Sequence, residues 1–386
     1  MQLFNFDHGF TAPQTFEIGP FTVVVAADHC RNLEKLPRRA LQRYGHDADF
    51  NRDVTRTSAS QGDFLPTAEV SLSRGQKMPP STLFPGTPGT DAVYDLVILL
   101  SFLTGRKVYF EHDLTWDPRR SYGERLLTGY ELTLFAVKAW DRLATVAKEG
   151  LSDALYCLVH APQSPDLIGS GAYVSAAFDT IVTSWAKANG KTVFPDADLI
   201  NLARKTMEKS LIDQGVSPQS VSDIVARFHQ IKTPSALHKI RAFVEANGLF
   251  PATPSDDQSN RLRRLNTVRN GIAHSGTVRI EPKLGAARSY SVAAAVVLLT
   301  QEIAVLYIAR ELLGVDAHAT VVAETTVKRF FDEGTFRGQK VFEEEYEDYL
   351  ARLESRWAEE GIFDPLQMHQ ISPADREEDA GDDAQA

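Results

Sequence analysis

Cysteine is almost missing from this chain. Cys30 and Cys157 are the only two in 386 residues. A small secreted scaffold stapled by disulfides is therefore excluded, and a reducing, cytoplasmic setting is expected. The opening Met1-Gln2-Leu3-Phe4 has no basic segment leading into a long apolar run, so no secretory leader is expected. An uninterrupted hydrophobic run is also lacking. The closest approach, Ser291 to Gly314, is broken by Gln301, Glu302, Arg310 and Glu311. Charges at such depth are costly in lipid, and the helical spacing of Val292, Val296, Leu299, Ile303 and Leu306 reads as a buried core helix rather than a membrane span.

Several chemistries lack their residues. Cys157 and His160 have the spacing of metal ligands, but no second pair lies nearby, and His29-Cys30 is equally isolated. The Gly/Pro stretch Phe84 to Thr90 is not followed by a lysine and makes no phosphate-cradling loop. His112-Asp113 has no serine in a glycine-flanked turn to serve. His229 and His238 read as surface or packing residues on helices. No metal and no cofactor is expected.

What is present begins with a hydrophobic fraction of 43%, enough for sizeable cores, in a length that suits two domains. The net charge is −10, but it is unevenly placed. From Lys340 to Ala386 there are 15 acidic against 4 basic residues, whereas Ala226 to Tyr290 carries 11 basic against 4 acidic. A basic segment in an acidic chain marks a place where an anion can dock, or simply a solvated helix surface.

The fold class expected is α+β. Residues 1–145 read as a mixed, β-rich N-terminal domain. Thr15–Ile18 and Phe21–Ala27 flank Gly19-Pro20 as a hairpin, and Ala68–Leu72, Lys107–Glu111 and Tyr130–Val137 read as further strands. Pro79 to Gly89 is loop, after which Thr90-Asp91 caps a helix that Gly105 ends. Residues 150–315 read as all helix, with segments at Ser152–His160, Gly171–Asn189, Asp198–Gln214, Pro218–Gln230 and Pro234–Asn247. Ser217 and Thr233 are the expected N-caps of the last two. Ser255 with Asp256 and Asp257 opens the next helix, which runs toward His274. Residues 316–372 form a helical extension containing an acidic helix from Val341 to Glu360, and 373–386 an acidic, disordered tail.

Within the basic segment stands Val268-Arg269-Asn270-Gly271-Ile272-Ala273-His274-Ser275-Gly276. Four residues separate Arg269 from His274, and an amide follows the arginine directly. This resembles the R-x(4–6)-H motif of the HEPN superfamily, placed late in a helix among long apolar helices. The resemblance covers about residues 150–315, and the β-rich segment ahead of it looks loosely like that of ApeA-type proteins. The bare spacing is weak by itself, since Arg39/His46 and Arg106/His112 also satisfy it. Only the Arg269 site combines spacing, amide, helical context and basic approach.

The chemistry can be derived without the name. Cleaving RNA without a metal uses the ribose 2′-hydroxyl as nucleophile on the adjacent phosphorus. One group must take its proton and another must protonate the leaving 5′-oxygen, and histidine does either near neutral pH. Charge that builds on the phosphoryl oxygens suits a guanidinium. Asn270 either hydrogen-bonds a phosphate or orients His274, with which it shares a helix face. Arg269 and His274, five apart, lie ~140° around a regular helix and do not converge. Either Gly271 and Gly276 loosen the helix, or two chains combine. The HEPN resemblance implies the second, a homodimer with a composite site. It also implies an endoribonuclease that yields 2′,3′-cyclic phosphate, of the kind used in antiphage defence or toxin systems. Arg261, Arg263 and Arg264 are candidates for holding the RNA backbone, or for solvating a helix. Ser275 and Gly276 read as a helix cap. The plain structural alternative pairs Arg269 with an acid such as Glu302. The functional alternative is a non-catalytic HEPN-like module binding RNA, a nucleotide or a protein partner.

Overall fold

The computed structural model describes residues 1–35, 65–110, 126–127, 129–164, 166–192, 197–228, 234–280 and 285–342. The expected acidic helix from Val341, the acidic tail, Thr233, His229, His112 and Asp113 lie wholly or almost wholly outside these residues.

A small antiparallel sheet comes first, then mostly helix, which is the α+β class. The strands are β1 (Gln2–Phe4), β2 (Thr15–Ile18), β3 (Phe21–Val25), β4 (Ala68–Leu72) and β5 (Tyr109–Phe110), in the order β2-β3-β4-β1-β5. The β2–β3 hairpin pairs Thr15 with Val24 and Ile18 with Phe21 around Gly19-Pro20. Gly19 has φ +58°, and a Cβ there would lie 2.0 Å from the Trp140 indole, so glycine meets both a conformational and a steric demand. Alternation along β2 and β3 buries Phe16, Ile18, Phe21, Val23 and Val25 on one face.

α3 (Tyr130–Asp141) packs against β2, with Trp140 edge-on to Phe21 at 5.7 Å between ring centroids, and α2 (Ala92–Thr104) packs against α3. Asp91 caps α2 by accepting from the Val93 amide, and Gly105 closes it at φ +64°, as the sequence indicates. α2 is buried nearly all round and carries one carboxylate, Asp95. That carboxylate accepts from the Ser81 hydroxyl at 2.6 Å and the Thr82 amide at 2.5 Å, which fastens the preceding loop. Burial raises its pKa despite those bonds.

Tyr130–Val137 is helix, not the strand its β-branched and aromatic content suggests. The buried positions Leu132, Ala136 and Ala139 recur at helical spacing, while Tyr130, Leu134 and Val137 are exposed. Period, not composition, decides the element. Of the strand expected over Lys107–Glu111, Tyr109–Phe110 pair with β1, Lys107 and Val108 precede the strand, and Glu111 lies outside the described residues.

The helices continue with α4 (Leu143–Lys148), α5 (Ser152–His160), α6 (Leu167–Ala188), α7 (Ala197–Asp213), α8 (Pro218–Phe228), α9 (Ala236–Ala246), α10 (Asp256–Ser275), α11 (Gly285–Leu306) and α12 (His318–Glu333). α6 starts four residues before the expected Gly171, because Asp166 accepts from the Gly169 amide at 2.7 Å. α9 is capped by Ser235. α11 runs on through a π-helical turn, Tyr307–Leu312. The stretch Gly285–Leu312 is long and apolar enough to cross a membrane, and most of it is buried inside the protein. A short hairpin, β6 (Thr335–Phe336) and β7 (Gln339–Lys340), follows α12.

α6, α10 and α11 meet at Gly171. A Cβ there would lie 2.5 Å from Ile272 Cγ2 of α10 and 3.1 Å from Val297 Cγ2 of α11. The glycine thus sets how near α10 approaches. One apolar core runs from Leu3 and Phe21 of the sheet to Phe330 and Phe342.

Candidate functional site on helix α10

α10 is well bounded. Ser255 accepts from the Gln258 amide at 3.2 Å, while Gln258 Oε1 accepts from the Ser255 amide at 2.8 Å, a reciprocal capping box. Asp256 and Asp257 sit in the first turn, where carboxylates favour the helix dipole. Gly276, at φ +60°, ends the helix and donates its amide to the Ile272 carbonyl. The helix is unbroken through Gly271, so no loosening is seen there.

The buried residues of α10 are Leu262, Leu265, Arg269 and Ile272. They recur at helical spacing, so Arg269 occupies a core position in the apolar stripe itself. Its side chain is 2% exposed. Nη1 donates to Asp179 Oδ1 of α6 at 2.6 Å, and Nη2 donates to Asn270 Oδ1 at 2.8 Å and Asn266 Oδ1 at 3.3 Å. The guanidinium carbon lies 5.3 Å from the Phe178 ring centroid, within cation–π range. Nε is buried without a hydrogen-bond partner. Glu302, the acid named in the structural alternative, instead pairs with Arg337 at 3.0 Å. Asp179 supplies the counter-charge, and it is 45% exposed. The pair therefore reaches from the core to the surface.

Asn266, Asn270 and His274 lie four apart in succession and form one polar ridge along α10. The two asparagines are half-buried and His274 is exposed. Because Asn270 Oδ1 accepts from Arg269, its amide NH2 is the part left to donate outward. His274 makes no side-chain hydrogen bond among the described residues. Arg269 and His274 thus point to opposite environments, as their angular offset requires. Within one protomer the structure brings Arg269 to Asn270 but not to His274.

The three upstream arginines separate. Arg261 donates through Nη1 to the Phe331 and Asp332 carbonyls, at 2.8 and 3.0 Å, and satisfies the C-terminal end of α12. Arg264 stacks 4.4 Å from the Phe342 ring centroid. Both have structural work, whereas Arg263 is exposed and reaches only Asn260 within its own helix.

Asp179 and Asn266 were not identified from sequence. Asn266 had a signal, the four-residue repeat with Asn270 and His274. Asp179 had none beyond its place beside Phe178.

No family model matches the chain, and neither curated proteins nor solved structures give a match. The HEPN resemblance rests on the motif and its helical setting.

Elsewhere, Cys157 and His160 both belong to α5. Among the described residues no group of three or more His, Cys, Asp or Glu side chains converges. His160 stacks on Tyr156 with centroids 4.1 Å apart, and burial, with Lys107 nearby, lowers its pKa to about 4. The Cys157 thiol is pushed up by burial, with the nearby Asp153 charge adding to it.

Proposed function

We propose that this protein is a metal-independent endoribonuclease of HEPN type, acting as a cytoplasmic homodimer, in antiphage defence or as a toxin. The observation that carries the reading is the exposed, unbonded His274 at the end of α10, in line with the outward amide of Asn270. Histidine can accept the 2′-hydroxyl proton or protonate the 5′-oxygen, and an asparagine amide can donate to a phosphoryl oxygen. Arg269 then acts through Asn270: its Nη2 holds Oδ1 and so fixes which end of the amide faces solvent. In this arrangement it is a positioning residue. A single His274 supplies one proton-transfer group where the reaction needs two. A two-fold contact between α10 ends supplies the other, which is why the reading includes a dimer.

The burial of Arg269 and its bond to Asp179 favour a second reading, a non-catalytic helical module binding RNA, a nucleotide or a protein. An RNA cleavage assay in EDTA separates them. Wild type should leave 2′,3′-cyclic phosphate ends and His274→Ala should lose at least 100-fold in rate, on the order expected for a lost acid–base group. Equal cleavage by both proteins would refute the assignment. RNA binding without cleavage, unaltered in His274→Ala, would establish the module.

A further inference from the structure

From Gln258 to Ile280 the chain carries five arginines, one histidine and no acidic residue. Arg263, Thr267, Asn270 and His274 follow one another at spacings of four, three and four, so they share one face of α10. Arg263, Thr267 and His274 are exposed and Asn270 is half-buried, so no described element packs over this face. Arg264 flanks it. Among the described residues Arg263 reaches Asn260 and Arg264 meets the Phe342 ring, and neither is joined to a carboxylate. The acids of the helix, Asp256 and Asp257, stand in its first turn, where Asp332 also meets Gln258. Asp179 is held by Arg269 on the side that faces α6.

The described chain ends beside this face. The Phe342 ring centroid lies 4.4 Å from the Arg264 guanidinium carbon and 5.9 Å from the Phe330 ring. Arg288 of α11 donates to the Lys340 carbonyl at 2.6 Å and to the Val341 carbonyl at 3.3 Å. The chain is thus pinned next to α10 at the point where 343–386 begin. Those residues include 15 acidic against 3 basic, and five of the first six are acidic: Glu343, Glu344, Glu345, Glu347 and Asp348. From Arg264 to His274 a helix rises about 15 Å. Six residues of extended chain span up to about 20 Å, so 343–348 are long enough to reach along the whole face.

We propose that the acidic run 343–348 docks along this face of α10 and covers Asn270 and His274 until RNA displaces it. The run offers carboxylates where a substrate offers phosphates, and its tether holds it at a local concentration on the order of mM. Its attraction to the arginines weakens as salt rises. A run lying there also keeps a second chain off the end of α10, so docking and the two-fold contact exclude each other. The consequence for RNA rests on the ribonuclease reading above, whereas the docking rests on the charge of the face and the place where the described chain ends.

The test uses the full chain with the photo-crosslinker p-benzoylphenylalanine at position 267, exposed on the face and outside the proposed chemistry. Position 260, also exposed, is the second choice if that protein does not fold. Light should join the probe to a peptide containing 343–348 within one chain, with a yield that falls as salt rises. Glu343→Gln, Glu344→Gln, Glu345→Gln, Glu347→Gln and Asp348→Asn together should abolish that crosslink. The same variant should bind a fluorescein-labelled single-stranded RNA of about 20 nucleotides about ten-fold more tightly. Converting Asp375, Glu377, Glu378, Asp379 and Asp382 to their amides changes the net charge equally, and should keep the crosslink and add little affinity. No crosslink to 343–348, a crosslink to a second chain in its place, or an equal gain in affinity from the two sets of amides would each overturn the proposal. A wild type that cleaves RNA without that crosslink keeps the ribonuclease reading and overturns this one. The crosslink, with no cleavage even by the variant neutralised at 343–348, supports the docking and removes the ribonuclease reading.

Discussion

The guanidinium of Arg269 is a core group before it is anything else, and this has a measurable consequence. Asp179→Ala leaves a charge that is 2% exposed with two asparagine oxygens and an aromatic face as its only company. Breaking a buried ion pair from one side costs about 3–5 kcal/mol, and the half-exposed position of Asp179 brings the expectation down to ~2–3 kcal/mol. Arg269→Met removes three hydrogen bonds but leaves Asp179 free to hydrate, so about 2–3 kcal/mol is expected there too. The double variant should cost less than the two single losses together, with a coupling of ~1–2 kcal/mol, because it strands no charge. His274→Ala, on the surface, should stay within about 0.5 kcal/mol of wild type.

Urea unfolding followed by far-ultraviolet circular dichroism at pH 7 reads all four variants. Additive losses, or an Arg269→Met protein as stable as wild type, would refute the pair's structural role and return Arg269 to the list of groups free to meet a phosphate. The result also governs how activity data are interpreted. An activity loss in Arg269→Ala cannot by itself assign catalysis if the helix packing goes with it. His274→Ala carries the diagnosis.

Two further outcomes follow from packing and burial. Gly171→Ala places a Cβ 2.5 Å from Ile272 Cγ2, so α10 must shift outward; a loss of about 1–3 kcal/mol is expected, and an unchanged melting temperature would show that the three helices are not tightly seated there. His160, with its pKa lowered to about 4 from 6.5, stays neutral where the unfolded chain takes up a proton. The unfolded state therefore binds more protons between those values. Stability from this group is intact above pH 6.5, falls as the pH drops toward 4, and is level below. The effect at pH 5 is ~2 kcal/mol at most for a partly exposed ring. His160→Gln should reduce the stability difference between pH 7 and pH 5; an imidazole NMR signal titrating near 6.5 would contradict the burial.

Local signals in the sequence located many of these elements. Asp91 and Gly105 bracket α2, Ser255 and Gly276 bracket α10, and Gly19-Pro20 turns the first hairpin, because capping and positive-φ demands act within a few residues. Where two local signals conflicted, as at Tyr130–Val137, residue type pointed to strand and spacing to helix, and burial against the sheet followed spacing. β1 is three residues long and exists through its pairing with β4 and β5, whose registers lie more than 60 residues away in the chain. Nothing local announces such a strand.

The motif shows the same division more sharply. Its residues were legible, but the environment of Arg269 was not: it was expected either at a phosphate or paired with an acid such as Glu302, and its partner is Asp179. Counting positions instead gives Leu262, Leu265, Arg269 and Ile272 as one face, with the arginine at a core register. A charge at a core register requires a partner brought by another element. Here it is Asp179, 90 residues earlier, next to Phe178 in the apolar stripe of α6. Asp179 is 45% exposed and lies off the buried stripe of α6, so within its own helix it is an ordinary surface carboxylate; the arginine alone is out of step with its pattern. Periodicity along α10 therefore separates the buried arginine from the exposed histidine, while the partner that the arginine requires carries no local signal on α6.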